Sequence, residues 1–150
     1  MGIKPTFVQA DLDRMLQKEA DRIHQMILKA FMYVGELCIT EARTNKTYMD
    51  QTGNLTASIG YVLTFNGRIV QAAGFEKDGG NSSAGTGKVT GRNLADSIAK
   101  NHTQGYCLAV VAGMNYAYAV EARGKNVLSS AELLAEQILP QLLRDLKLAA

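Results

Sequence analysis

The stretch from Asp11 to Arg43 constrains this chain more than any other. Leu12, Met15, Leu16, Ala20, Ile23, Met26, Ile27, Ala30, Phe31, Val34, Leu37, Cys38 and Ala42 recur at spacings of three and four. Asp13, Arg14, Lys18, Asp21, Arg22 and Lys29 fall off that stripe, the pattern of one amphipathic helix. Roughly 33 residues in a helix make a rod about 50 Å long. A compact chain of 150 residues is only about 40 Å across. Either the helix breaks, with Gly35 as the place, or one end overhangs the body and needs a partner. The reading adopted is the overhang.

The remaining pattern is short and mixed. Asp50 or Thr52 is positioned to cap a single helical turn through Ser58. Tyr61, Leu63 and Phe65 alternate with Val62 and Thr64 as a strand. Asn66-Gly67 is the type I′ hairpin dipeptide, and residues 68–75 form the returning strand. Residues 76–91, "EKDGGNSSAGTGKVTG", read as a mobile Gly/Ser loop, followed by a short helix over 92–101. The apolar run at 105–113, bounded by glycines, suits an interior strand. Ser129 and Glu132 have capping-box spacing and open a C-terminal helix with Leu133, Leu134, Ile138, Leu142, Leu143 and Leu146 on its apolar face. Pro140 is expected to kink or split that helix. The fold class is therefore α+β: a long N-terminal helix, a small antiparallel sheet with a β-hairpin, and a proline-kinked C-terminal helix.

Composition limits the function classes. With 47% hydrophobic and 20% charged residues the chain has the balance of one globular domain, residues 1–150. A net charge of +2 is too small to argue for sequence-specific nucleic-acid binding. No Trp is present and aromatics make up 7%, which leaves little material for stacking platforms. The first residues lack the apolar core of a signal peptide, and no apolar run approaches the ~18 residues a membrane span needs. Cys38 and Cys107 stand apart from each other and from histidine, and read as buried free thiols.

Candidate chemistry is thin. A phosphate loop needs GxxxxGK[ST]; here Gly87-Lys88 is followed by Val89, and Ser82 stands five before Gly87. His24 and His102 lack ligand partners at helical spacing, so no metal site is expected. There is no GxSxG, and a thiol in the apolar run at Cys107 stays protonated. Glu121 and Arg123 are expected to form an ion pair at a surface or interface. The expectation is no catalytic, metal or cofactor-binding residue, hence no cofactor and not an enzyme. Two clusters remain. One is "DQTGNLTASIGY", with Thr52-Gly53 forcing a turn and Leu55 and Ile59 anchoring the segment after it. The other is "AGMNYAYAVEARG", where Ala117, Ala119 and Ala122 allow close backbone approach. Read from the residues alone, both are local anchors of the fold.

Those two stretches carry a resemblance. Asp50, Thr52, Gly53, Leu55, Ser58 and Ile59, followed by Tyr116, Ala117, Val120, Glu121 and Gly124, resemble the D-T-G-x-L-x-x-S-I and Y-A-x-x-V-E-x-G elements of the tail-completion (head–tail joining, or neck) proteins of tailed bacteriophages and prophages. Ala42-Arg43 matches the step that ends that family's long first helix. Gln51 is an extra residue before Thr-Gly, Thr56 replaces a basic residue, and residues 76–104 look like an inserted flexible loop plus short helix. The resemblance implies a virion structural protein, made in the bacterial host cytoplasm and located at the neck of the particle. Such proteins form rings, commonly hexameric, that complete or cap the tail tube. Its partners are then itself, connector or adaptor proteins and tail-tube proteins. No membrane is involved, and the genome passes through the lumen. The overlong helix, a small sheet in need of cover, and a Gly/Ser loop projecting to the lumen or a neighbouring ring all suit that role. The alternatives are a tail terminator or head-connector adaptor, or a small cytoplasmic binding protein encoded by a mobile element.

Overall fold

A 36-residue helix, α1 (Gln9–Thr44), runs without interruption through Gly35 and dominates the computed structural model, which describes residues 2, 8–75 and 85–146. Gly35 is not a break. Its missing side chain makes room for the Tyr61 ring, whose atoms would lie 2.8–2.9 Å from a Cβ there. Every buried residue of α1 lies at or beyond Leu28. Residues 9–22 are exposed except for half-buried Leu12, so about 21 Å of helix stands clear of the body.

The rest of the chain continues as α2 (Asn54–Ala57), β1 (Ile59–Phe65), β2 (Arg68–Gly74), α3 (Gly85–Asn101), β3 (Tyr106–Ala112), α4 (Ala117–Ala122) and α5 (Ser129–Asp145). The three strands form one antiparallel sheet in the order β2-β1-β3. Ile59 pairs with Ala112 and Leu63 with Leu108 on one side of β1, and Tyr61 with Ala73 on the other. Asn66 (φ 50°) and Gly67 (φ 82°) both take the left-handed conformation that a type I′ turn demands. The strand at 106–112 is an edge and not the interior strand the apolar run suggested; β1 is the interior one.

Strand parity assigns the core. Ile59, Tyr61 and Leu63 face α1, joined by Leu108, Val110 and Ala112 and by the Ala131, Ile138 and Leu142 side of α5. Val62, Ala72, Ala109 and Val111 face the other way, onto Phe75, Ala95, Ile98 and Ala99. Both faces of β1 and β3 are thus covered within one chain, whereas the first half of β2 is exposed on both faces, with Ile69 at 41% and Val70 at 42%. Cys38 and Cys107 are both free. Cys38 belongs to the α1–α5 layer, and Cys107 shares its parity with Ala109 and Val111 on the opposite side.

The α3 helix begins earlier than its sequence suggests. Residues 85–91, read as loop, are helical; 76–84, the rest of that proposed mobile loop, lie outside the described residues. The buried residues of α3 are Gly87, Gly91, Ala95 and Ala99, one every four positions. That row of small residues lets the helix axis approach closely. A Cβ on Gly87 would sit 2.0 Å from the Asn54 carbonyl oxygen, and one on Gly91 2.3 Å from that of Ser58. At the other chain end, α5 is one helix that continues through Pro140, not two.

Candidate functional site

The two stretches singled out by sequence meet in space. Leu55 is 2% exposed and packs with Tyr48, Ala117 and Val127, with half-buried Val120 and Met114 against them. Gly53, at φ 73°, makes the turn into α2 in a conformation that favours glycine. Asp50 accepts the Thr56 backbone N–H at 2.7 Å through Oδ2, and Thr52 accepts that of Asn54 at 3.3 Å through Oγ1. The expected cap of this helical turn is therefore supplied by both residues. Ser58 is fully buried; its hydroxyl donates to the Leu55 carbonyl at 2.7 Å and accepts the Gly113 N–H at 3.1 Å. Ile59 lies in the layer under α1 with Val34, Cys38 and Ala42.

The second stretch forms α4 and its exit. Ala117 is buried, whereas Ala119 and Ala122 are exposed and take part in no close approach. Gly124, at φ 80°, follows the last turn of α4 and donates its N–H to the Glu121 carbonyl at 3.0 Å, a left-handed helix end. Glu121 makes no ion pair with Arg123. Its Oε1 accepts the backbone N–H groups of Leu128 (3.1 Å) and Ser129 (2.7 Å) and the Ser129 hydroxyl. Burial pushes this carboxyl up, but the hydrogen bonds from Ser129, Leu128 and Val127 outweigh it and hold it below the usual range. Glu121 thus caps α5 from a distance, in place of the local Ser129–Glu132 box. Asn126 completes the same helix start: its Oδ1 accepts the Ser130 N–H at 3.0 Å, and its Nδ2 donates to Ser130 Oγ at 2.7 Å and to the Asn45 carbonyl at 2.9 Å. It stitches α5 to the end of α1. An Asn ahead of a helix is a recognisable cap signal, missed because the Ser129 box stands closer to the apolar run.

Where the stretches meet, a surface hollow of about 230 Å³ is lined by residues 48–52, Leu55, Tyr116 and Val120. Tyr116 is 38% exposed. Burial first, then the charge of Asp50, raises its phenol, opposed by a hydrogen bond with Thr52. Met49 at its edge is 87% exposed. The polar groups here hold backbone turns, and the lining has no histidine or thiol to pair as nucleophile and base. Among the described residues no group of three or more His, Cys, Asp or Glu side chains is arranged to hold a metal ion.

His24 and His102 are both far from this hollow. His24 Nδ1 lies 2.6 Å from the Tyr106 hydroxyl, in a cluster with Phe65 and Phe31 at one end of the sheet. His102 has its Nδ1 3.0 Å from the Ile98 carbonyl oxygen, just past the C-terminal end of α3. Arg43, from the Ala-Arg step, reaches across to donate to the Ile59 carbonyl at 3.1 Å and ties α1 to β1. No helix among the described residues is long and apolar enough to cross a membrane. Comparison with protein-family models, curated proteins and solved structures finds no match to this chain.

Proposed function

We propose that this chain is a structural protein of the phage head–tail junction, which assembles as a ring that completes or caps the tail tube and performs no catalysis. The observation that carries the reading is the contrast along α1. The half beyond Leu28 is buried in the domain, while the first four turns project with Met15 (69% exposed) and Leu16 (61% exposed) bare. A monomer gains little from such an extension; an assembling subunit has a use for it. The resemblance of the two motif stretches gives the class of assembly. Their packing into one cluster, with Leu55 against Ala117 and Glu121 capping α5, is what a fold-defining motif does.

Antibody labelling of particles from the phage that encodes the chain tests this reading. Label at the junction of head and tail, together with rings in negatively stained purified protein or in its mixture with tail-tube protein, is the expected result. Absence of the chain from purified particles sinks it.

A further inference from the structure

We infer that the projecting first turns of α1 are a self-association surface, which pairs with the same segment of a second copy in antiparallel fashion. The inference does not depend on the phage reading. Leu12, Met15, Leu16, Ile23 and Met26 share one side of α1. That side continues the face on which Ala30, Val34 and Cys38 receive α5, through Ala131, Ala135, Ile138 and Leu142. The end of α5 lies beside Met26, Lys29, Ala30 and Tyr33, where Leu142 and Leu146 leave an open apolar groove of about 330 Å³. Beyond that point nothing among the described residues covers the stripe.

The charges select the occupant. Asp11 and Arg22 are eleven residues apart, about three turns, and so lie on the same edge of the stripe. In an antiparallel pair centred near Leu16, Asp11 of each copy faces Arg22 of the other, twice by symmetry. Leu12 then lies near Ile23 across the contact, and Val8, 64% exposed, reaches the groove between Met26 and Leu146. A parallel pair carries the Asp11–Arg22 edges of the two copies to opposite sides of the contact and forms neither pair. The segment is otherwise nearly neutral, with Asp11, Asp13, Glu19 and Asp21 against Arg14, Lys18 and Arg22. Asp11 and Glu19 already hold Arg14 and Arg22 in local pairs, so no uncompensated basic field remains for a phosphate backbone. Glu19 lies within the stripe, held by Arg22 Nε at 3.0–3.1 Å. Its burial in the pair opposes association, and a contact of this length falls at the small end of specific interfaces. A micromolar dimer is expected.

Sedimentation equilibrium of the full chain over a concentration series tests the inference. The wild type is expected to pass from monomer to dimer, and Leu16→Glu to stay monomeric with unchanged helix content and melting temperature. Glu19→Leu is expected to tighten the dimer. Asp11→Arg or Arg22→Asp alone weakens it about tenfold by removing both reciprocal pairs, and the double variant restores it. A wild type that stays monomeric, a Leu16→Glu variant of unchanged mass, or a double variant no better than the singles overturns the proposal. Junction labelling of particles is independent of all of these, so failure here leaves the neck assignment standing.

Discussion

Replacing Gly91 with alanine sets helix propensity against packing. In an isolated helix the change is favourable by about 1 kcal/mol, because glycine loses the most backbone entropy on folding. In this molecule the new Cβ lies 2.3 Å from the Ser58 carbonyl oxygen, 2.9 Å from its carbonyl carbon and 2.8 Å from Phe75 Cδ1. Neither side can yield easily. Ser58 is fully buried, and its carbonyl and hydroxyl both accept the Gly113 N–H, at 3.3 and 3.1 Å. Relief requires α3 to move off the sheet by nearly an ångström, which loosens the packing of Val62 on Ala95 and Ala99. Overpacking of this kind costs about 1–3 kcal/mol, and the lost burial adds to it.

The net expectation is a loss of about 2 kcal/mol, equivalent to a fall of about 4–8 °C in Tm for a chain of this size. Urea unfolding followed by far-UV circular dichroism measures it. Asn93→Ala, on the exposed side of the same helix, is the control for propensity alone and is expected to gain a few tenths of a kcal/mol. A Gly91→Ala variant as stable as the wild type, or more so, would refute the close approach of α3.

Glu121→Gln is expected to cost about 0.5–1 kcal/mol near neutral pH, since the amide keeps one acceptor for α5 but loses the charge at its N-terminus. The folded carboxyl is held below its ordinary value; its stabilisation is present above that value and disappears as pH falls through the folded one. Wild type and variant should therefore converge in acid, and a constant gap across pH would show that Glu121 does not titrate with folding. Leu55→Ala empties the centre of the motif cluster and should cost about 2–5 kcal/mol by denaturant titration. The Tyr61 phenol is raised to about 12, first by burial and then by its hydrogen bond to Glu36. That stability is present below the ordinary phenol range and is lost as pH rises toward the folded value. Tyr106 and Tyr116 are raised less strongly, so ultraviolet titration should show Tyr61 ionising after them, together with alkaline unfolding, and Tyr61→Phe should remove that last step.

Where the sequence is legible, a local rule and the tertiary structure agree. The stripe of α1, the Asn66-Gly67 turn and the Asp50 cap each depend on residues within a turn or two of one another. Where it misleads, one pattern has two physical causes. Glycine every four residues looks like a breaker when counted for propensity, but Gly87 and Gly91 are the contact face of α3. An unbroken apolar run reports that both faces of a strand are covered, and is silent on its edges. Residues 106–112 have helices on both faces and still lie at the edge of the sheet. Nearness in sequence pairs Glu121 with Arg123; its true partners begin six residues on, and only the reversal of chain direction after Gly124 brings them together.

The division between buried and exposed residues decides where assembly has to be tested. Of the motif residues, Gly53, Leu55, Ser58, Ile59 and Ala117 are buried, and Asp50, Glu121 and Gly124 terminate helices. Substituting them acts first on the fold, so loss of assembly in a motif variant that has also unfolded says nothing about contacts. Met15, Leu16, Met49, Tyr118 and Leu133 are each more than half exposed. Changing them leaves the core intact, and a loss of assembly there reports an interface. If the motif variants fail to assemble only to the extent that they unfold, while Leu16→Glu fails although folded, then the motif builds the subunit and α1 joins it to others. If a folded motif variant such as Asp50→Asn also fails, the hollow beside Tyr116 is itself a contact surface.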